Sequence, residues 1–272
     1  MSAPSSTTTP ARDALLADAG YGCVCCGAPI IRFVAGSEGE FVLCPDHGRQ
    51  FEDGLIGAPE LAHAAAHPFN LEHLSDAGTL LVTSKYPVAR FGGVIFVNDE
   101  LSVGADGETL LRFHILDGRL VMSLKVYDEQ GALTAEVEDN EWIYGKPDDF
   151  VLEHSPNKLS ISNRSGSPIL KLNSYKTPLQ LSAYLSFAGV PITVASKGVA
   201  VGDRVASFIE DGYAGCLLEV DTTDLSASME PDPRHGGHSI IVTEREPLQR
   251  MVKALNAMAS LRSHIEDDPF NH

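Results

Sequence analysis

The sequence predicts an α+β protein that is mainly β: a small cysteine-rich N-terminal module, an antiparallel β-sandwich or barrel body, and a C-terminal helix. Three observations predict this fold class. Four of the five cysteines lie close together near the N-terminus. Short apolar runs separated by turn residues recur between residues 91 and 201, which is typical of antiparallel sheets. Apolar residues then recur at helical spacing near the C-terminus.

The predicted organisation has four parts joined by a mixed linker. Residues 1–9 are rich in Ser, Thr and Pro, which is typical of a disordered tail, and Gly20 is a natural C-cap for a short helix over residues 10–19. The linker, residues 70–90, contains one strand candidate at residues 79–83. The parts are the tail and short helix (1–20), the cysteine-rich module with its following helix (21–70), the antiparallel β-rich domain (91–245), and a C-terminal amphipathic helix and tail (246–272).

The cysteines are spaced as metal ligands. Cys23-x-x-Cys26 is followed by seventeen residues and then by Cys44-x-x-His47. A structural zinc ion is usually held in a tetrahedron by Cys and His side chains alone, and each short spacing lets two ligands approach one ion. The sequence therefore predicts a structural Zn²⁺ held by these four residues. Cys25 is the spare thiol, either a plain core residue or an alternative ligand.

The intervening residues predict the local fold. Residues 30–34 and 40–43 can pair as a β-hairpin around a turn at residues 36–39, and residues 46–54 form a short helix after the second pair of ligands. A first ligand pair on a tight turn, a β-hairpin, a second ligand pair and a helix follow one another in the order of a treble clef. We therefore predict a treble-clef zinc module.

Residues 43–56, LCPDHGRQFEDGLI, resemble the closing segment of HNH endonucleases, and CVCCG at residues 23–27 resembles the opening of their zinc-stabilised members. The resemblance covers residues 21–56. It implies that Cys23, Cys26, Cys44 and His47 are structural zinc ligands. It also implies metal-dependent cleavage of DNA.

The catalytic part of that pattern is missing here. The family has a second histidine where this chain has Gly48, and a water-activating histidine on the hairpin, where residues 27–43 contain none. Metal-assisted hydrolysis needs a general base and a cation on the scissile phosphate. We therefore expect a catalytically degenerate HNH-like module.

Other histidines offer alternative sites. His63 and His67 share one face of a helix predicted over residues 57–68, and His73 follows it, so these three are candidates for a second metal site or for replacement catalytic groups. His235 and His238 flank two glycines, which hold ligands poorly. Each of these two groups of histidines would also be expected on an ordinary polar surface that binds no metal.

The β body contains a weak internal repeat. LKVYDEQGALTAEV at residues 124–137 aligns with LSISNRSGSPILKL at residues 159–172, which predicts two equivalent hairpins, with a short parallel β-helix as the alternative. The dipeptide at 117–118, Asp-Gly, predicts another hairpin. Asp139, Glu141 and a half-buried Trp142 are expected to cap a strand, with a ligand-binding rim of Trp142 and Tyr144 as the alternative.

The net charge decides which partners the sequence favours. It is −17 at pH 7, with an isoelectric point near 4.9. Nucleic acids and anionic membranes both attract cations, so these partners are disfavoured. No signal-peptide-like segment and no run of about 18 apolar residues is present. We expect a protein partner, no membrane, and a cytoplasmic location in which the cysteines bind metal.

These observations predict a cytoplasmic zinc-stabilised binding or adaptor protein whose β domain carries the recognition surface. Two alternatives remain. One is an atypical HNH-like nuclease that uses His63, His67 or His73 for catalysis. The other is an acidic inhibitor or immunity-type protein, whose affinity for a basic partner would fall with salt.

Overall fold

The structure is a computed structural model that describes residues 10–37, 39–73, 88–91, 94–97, 100–116, 119–155, 158–173, 179–195, 198–210, 216–231 and 239–244. Five sequence predictions lie outside these residues. They are the tail 1–9, the strand candidate 79–83, the Asp-Gly turn at 117–118, the His235 and His238 pair, and the C-terminal helix in 246–272.

The N-terminal part, here called the module (residues 10–73), contains four helices and one hairpin. The predicted hairpin forms, with antiparallel pairing from Arg32 opposite Leu43 to Gly36 opposite Gly39. The helix predicted over residues 57–68 is shorter because Pro68 cannot continue it. The elements are α1 (Pro10–Asp18), β1 (Arg32–Gly36), β2 (Gly39–Leu43), α2 (Pro45–Glu52), α3 (Ala58–Ala66) and α4 (Phe69–Glu72).

The rest of the described chain, here called the β body, is built of strands with one 3-10 turn at Pro147–Asp149. The strands are β3 (Val88–Phe91), β4 (Val94–Val97), β5 (Glu100–Ala105), β6 (Glu108–Leu116), β7 (Arg119–Tyr127), β8 (Leu133–Glu138), β9 (Glu141–Gly145), β10 (Phe150–Ser155), β11 (Lys158–Asn163), β12 (Pro168–Asn173), β13 (Leu179–Phe187), β14 (Val190–Ala195), β15 (Gly198–Val201), β16 (Arg204–Glu210), β17 (Cys216–Asp221), β18 (Ser226–Pro231) and β19 (Ser239–Glu244).

These strands form two large sheets. One has the order β18-β17-β5-β6-β7-β8-β9. The other has the order β10-β11-β12-β13-β14-β15-β16-β19, with β3 beside β13 and β4 beside β3. Neighbouring strands are antiparallel except for β17 with β5 and β3 with β13. The prediction of an antiparallel β body is confirmed, and the parallel β-helix alternative is wrong.

The two sheets share one hydrophobic core. Alternate residues of each strand point inward, as in β11, where Leu159 and Ile161 are buried and Ser160 between them faces outward. Leu124, Met122 and Leu111 of the first sheet belong to the same buried cluster as Leu159 and Ile161 of the second. The sheets therefore pack face to face.

The internal repeat corresponds to two hairpins with the same turn. In each, the side-chain oxygen of an Asx residue (Asp128 or Asn163) accepts a backbone N–H hydrogen bond from the residue four positions later. Gly131 and Gly166 have positive φ, at 80° and 86°. Both hairpins have a register shift at the equivalent position of the first strand, one in β7 and one in β11. The alignment thus predicted a true structural repeat.

The turn between β8 and β9 positions the only tryptophan. Asp139 and Asn140 both have positive φ, which suits the twist of a two-residue hairpin. Trp142 follows on β9 and is buried, not half-buried, with its indole N–H donating to the Gly145 carbonyl at 3.3 Å. A ligand-binding rim that uses this ring is therefore wrong, although Tyr144 is exposed.

The module docks on β9, an edge strand of the seven-stranded sheet. The Ile31 N–H donates to the Asn140 carbonyl at 2.9 Å, and the Trp142 N–H donates to the Ile31 carbonyl at 2.7 Å. Ile31 packs in the module's own core, whereas its neighbour Ile30 is buried in the core of the β body. Adjacent residues of one extended segment thus enter the two different cores. This segment joins the module directly to the β body.

Ion pairs extend this contact. Arg12 pairs with Glu141 of β9, and Arg49 of α2 pairs with Asp148 in the turn that joins β9 to β10. Since β9 and β10 are edges of different sheets, the module covers the side of the sandwich where both edges lie. No described helix is long and apolar enough to cross a bilayer.

Candidate metal centre

The first pair of ligands lies on a tight turn. The Gly27 N–H donates to the Cys23 carbonyl at 2.7 Å, and the Cys23 N–H donates to the Ala28 carbonyl at 2.9 Å. Gly27 has a φ of +73°, which a residue with a side chain rarely adopts. This turn brings the thiols of Cys23 and Cys26 to the same side of the chain.

The second pair lies at the start of α2. Cys44 is the N-cap residue, Pro45 occupies the first helical turn, and the Cys44 sulfur accepts a hydrogen bond from the His47 N–H at 3.4 Å. A proline suits this place because the first N–H groups of a helix have no partner within it. One helical turn then brings the His47 ring back over the Cys44 sulfur.

Together these elements gather the four predicted residues. The ligand atoms of Cys23, Cys26, Cys44 and His47 all lie within 4.8 Å of one another. The sulfurs of Cys26 and Cys44 are 3.8 Å apart, and Nδ1 of His47 lies 3.1 Å from the Cys44 sulfur and 3.5 Å from that of Cys23. The cluster could therefore bind a metal ion.

These separations can be compared with those of a tetrahedral zinc site. Zn–S bonds of about 2.3 Å and Zn–N bonds of about 2.0–2.1 Å give tetrahedron edges of about 3.8 Å between two sulfurs and about 3.6 Å between sulfur and nitrogen. The distances of 3.8 and 3.5 Å match those edges, that of 3.1 Å is shorter, and the remaining separations reach at most 4.8 Å. The sulfur–sulfur distance is far longer than a disulfide bond of about 2.05 Å. Cys23, Cys25, Cys26 and Cys44 are all free thiols.

The pKa shifts within the cluster indicate how a bound cation would change the protonation of its four side chains. Hydrogen bonds from the other thiols, that of Cys25 first, lower the pKa of Cys23. Hydrogen bonding to the resulting thiolate raises the pKa of Cys26 to about 12 and also raises the pKa of Cys44. The Cys23 and Cys44 sulfurs raise the pKa of His47 to about 10. A divalent cation would let all three thiolates and a neutral imidazole coexist.

Cys25 lies beside the cluster without joining it. Its thiol is half-buried and donates to Cys23, and this hydrogen bond with burial raises the pKa of Cys25. Its sulfur is not within the set of four ligand atoms that lie inside 4.8 Å of one another. The geometry thus favours the role of a neighbouring thiol for Cys25.

Asn70 holds the first turn in place, which the sequence did not indicate. It is the only buried polar side chain among the described residues, and its Nδ2 donates to the carbonyls of Gly20 at 3.0 Å and Gly27 at 3.3 Å. A Cβ on Gly27 would overlap its side chain. Asn70 lies far along the chain from Gly20 and Gly27, so the short residue spacings that indicated the candidate ligands could not indicate Asn70.

The other candidate histidines form no second cluster. His67 pairs with Glu72 at 2.8 Å, and His73 stacks on Phe69. His63 contacts only the His67 ring among these groups, at a centroid distance of 4.8 Å. Within the described residues, Cys23, Cys26, Cys44 and His47 are the one set of three or more potential ligands that come together.

The position of the missing histidine is covered by arginine. A Cβ on Gly48 would lie 3.4 Å from Val34 and 3.5 Å from the guanidinium of Arg32, which pairs with Glu52 at 3.0 Å. The surface at this point is thus already occupied by an ion pair.

One histidine of the β body lies near enough to the cluster to respond to its charges. Burial is the main cause that lowers the pKa of His154 in β10, and the smaller effects of the Cys23 and His47 charges raise and lower it, respectively. Its buried Nδ1 has no hydrogen-bond partner among the described residues. No sequence pattern signals this proximity, because it depends on how the module docks.

Comparison with known proteins adds no relative. No family model, no curated protein and no solved structure matches this chain. The likeness of residues 21–56 to HNH endonucleases is therefore not supported by a family match, and the metal cluster rests on the geometry alone.

Proposed function

We propose that this protein is a zinc-stabilised binding or adaptor protein in which Cys23, Cys26, Cys44 and His47 hold one structural Zn²⁺ and the β body provides the recognition surface. The observation that carries the proposal is the closed ligand set: three sulfurs and one imidazole nitrogen within 4.8 Å. Catalytic zinc sites keep one position open for water or substrate, whereas structural sites are filled by protein side chains.

A structural role explains what the metal does for the module. Its core is small, and two of its buried residues, Cys23 and Cys44, are themselves ligands. Zinc binding supplies folding free energy to domains that cannot bury enough apolar surface. In this role the ion fixes the two turns and the start of α2, and Ile31 is thereby presented to β9.

The absence of catalytic groups supports an HNH-like module without nuclease activity. Gly48 and the histidine-free hairpin leave no general base at the positions that the resemblance would require. The alternative nuclease would need His63, His67 or His73 beside a second metal ion. In the part of the chain that the structure describes, these histidines gather no such ligand set.

The free thiols also support the proposed cytoplasmic location. Four cysteines lie side by side without a disulfide bond, which suits a reducing compartment. A protein partner remains the proposal for the adaptor role, since the net charge of −17 opposes nucleic acid.

Metal analysis and a nuclease assay test the proposal together. The purified full chain should contain one zinc per molecule and should leave plasmid DNA intact when Mg²⁺ or Mn²⁺ is added. Cys44→Ser should lose the metal, whereas Cys216→Ser, the matched change at the fifth cysteine, should keep it. If the native chain cleaved DNA and either His63→Ala or His67→Ala abolished that cleavage, the nuclease alternative would replace this proposal.

A further inference from the structure

The outer face of strands β10–β13 carries an open pocket of about 480 Å³. Ligand pockets in proteins have volumes of roughly 300–1,000 Å³, so this one has room for a small molecule. It belongs to the ten-stranded sheet, on the side away from the shared core. The zinc ligands take no part in its lining.

Strand register places polar side chains in rows across this pocket. Glu153 is opposite Ser160, Ser160 is opposite Lys171, and Lys171 is opposite Ser182. One such side chain thus comes from each of four neighbouring strands. The residues on either side of Ser160 in its strand are buried in the core, so Ser160 points outward.

A second lysine stands beside this row. Lys158 is opposite Asn173, while Ser160 is opposite Lys171, which makes the two lysines diagonal neighbours on adjacent strands. Diagonal neighbours in an antiparallel pair are about 7–8 Å apart at Cα, within reach of long side chains. Two ammonium groups can therefore converge on one anionic group.

Neither lysine is neutralised by a described residue. Arg12, Arg32, Arg49, Arg112 and Lys125 each form an ion pair with a carboxylate. No described carboxylate oxygen lies within ion-pair distance of Lys158 or Lys171, although Glu153 lines the same pocket. These two cations lie together in one pocket of a chain whose net charge is −17.

We infer that this pocket binds a small hydroxylated anion, namely a sugar phosphate or a sugar acid. Lys158 and Lys171 bind the anionic group, and Glu153, Ser160 and Ser182 exchange hydrogen bonds with the hydroxyl groups. The inference deepens the proposed function and rests on it, because it assigns a ligand class to the recognition surface of the β body.

The lining argues against other ligand classes. It contains no Phe, Tyr or Trp, and its one imidazole, that of His154, lies on the opposite face of β10 from Glu153, so a nucleobase would have no ring on which to stack. Its side chains on the outer face are polar, so a lipid or an apolar ligand would gain little from burial. One carboxylate is too few for a dedicated divalent-cation site.

Isothermal titration calorimetry on the zinc-loaded full chain tests the inference. The probes are glucose 6-phosphate, gluconate, glucose and inorganic phosphate. Glucose 6-phosphate or gluconate should bind more tightly than glucose and than phosphate, because both the anionic and the hydroxyl groups contribute. Which of the two anions binds more tightly identifies the source of the charge.

The double variant Lys158→Gln with Lys171→Gln should weaken this binding at least tenfold. The matched control, Lys146→Gln with Arg164→Gln, removes the same charge at two exposed residues outside the pocket and should bind like the native protein. Equal affinity of the lysine double variant and the native chain would overturn the inference. So would failure of both hydroxylated anions to bind more tightly than phosphate or glucose.

These measurements distinguish failure of the pocket assignment from failure of the zinc proposal. A chain that contains one zinc ion but binds neither hydroxylated anion contradicts the pocket assignment alone. A chain that binds glucose 6-phosphate in the native pocket but contains no zinc contradicts the structural metal alone.

Discussion

Cys25 lies between two candidate metal ligands, Cys23 and Cys26, and is the residue that could most easily exchange with one of them. The structure places its sulfur outside the group of four ligand atoms. We predict that Cys25→Ser keeps one zinc per chain, whereas Cys26→Ser loses it, because only the second change removes a ligand. Metal content after dialysis, measured by plasma mass spectrometry, distinguishes them. Loss of zinc from Cys25→Ser would show that Cys25 is a ligand.

Asn70 is the side chain that fixes the first ligand turn. Removing its amide in Asn70→Ala leaves the buried carbonyls of Gly20 and Gly27 without this donor. We predict a loss of about 1–3 kcal/mol in the free energy of unfolding, as is usual when a buried group loses its partner. Urea denaturation followed by circular dichroism measures it.

An exposed neighbour provides the control for Asn70. Glu72→Ala breaks only the solvent-exposed pair with His67, and such pairs contribute about 0–1 kcal/mol. If Asn70→Ala were no more destabilising than Glu72→Ala, Asn70 would not be the clamp that its hydrogen bonds indicate.

At this scale the sequence predicted which four side chains come together as candidate ligands, but not the contacts that hold them in place. Short spacings such as Cys23-x-x-Cys26 are fixed by local turn geometry, so they can be read directly. Asn70 contacts carbonyls 43 and 50 residues earlier in the chain, and His154 approaches the centre only through docking. No local pattern encodes either contact.

Among the elements, the segment around Ile31 joins the module to the β body. Proline has no N–H, so Ile31→Pro removes the hydrogen bond to the Asn140 carbonyl. We predict that Trp142, the only tryptophan, becomes more exposed and that its fluorescence shifts to longer wavelength. Ile31→Val keeps the N–H and should leave the emission unchanged.

Zinc content separates undocking from unfolding in this experiment. A module that has detached but remains folded keeps one zinc per chain in Ile31→Pro. An emission spectrum identical to that of the native protein, with zinc retained, would contradict the view that this segment holds the module on β9.

The repeated hairpins make a second prediction for the elements. Gly131 and Gly166 have positive φ, and a Cβ added at either position would meet no heavy atom closer than ordinary van der Waals distance. Substitution by alanine should thus cost only backbone strain, about 1–2 kcal/mol each. Thermal unfolding should show similar losses for both variants and smaller losses for the asparagine variants, because asparagine tolerates this conformation better. Clearly unequal alanine effects would contradict the equivalence of the turns.

Most strands and both repeated hairpins could be predicted, because alternation and turn residues are local signals. The pairing of β17 with β5 could not. Leu218 lies opposite Val103, more than a hundred residues earlier, and the strands are parallel. Such a pairing depends on closure of the whole sheet, and apolar periodicity carries no information about it.

For the molecule as a whole, the module protects the side of the sandwich where two sheet edges meet. Exposed edge strands are prone to pair with other chains, and covering them is a common protection. Here Ile31 pairs with β9, and Arg49 pairs with Asp148 in the turn that follows β9. In the proposed function a bound metal ion would stabilise the module, which in turn covers the edge of the β body at β9.

X-ray absorption spectroscopy of the purified protein at the zinc edge would identify the atoms that bind the metal ion. We predict one zinc ion with three sulfur neighbours at about 2.3 Å and one nitrogen neighbour at about 2.0–2.1 Å, without water. His47→Cys should convert the site to four sulfurs. A native site with four sulfurs, or one with bound water, would contradict the closed set of Cys23, Cys26, Cys44 and His47.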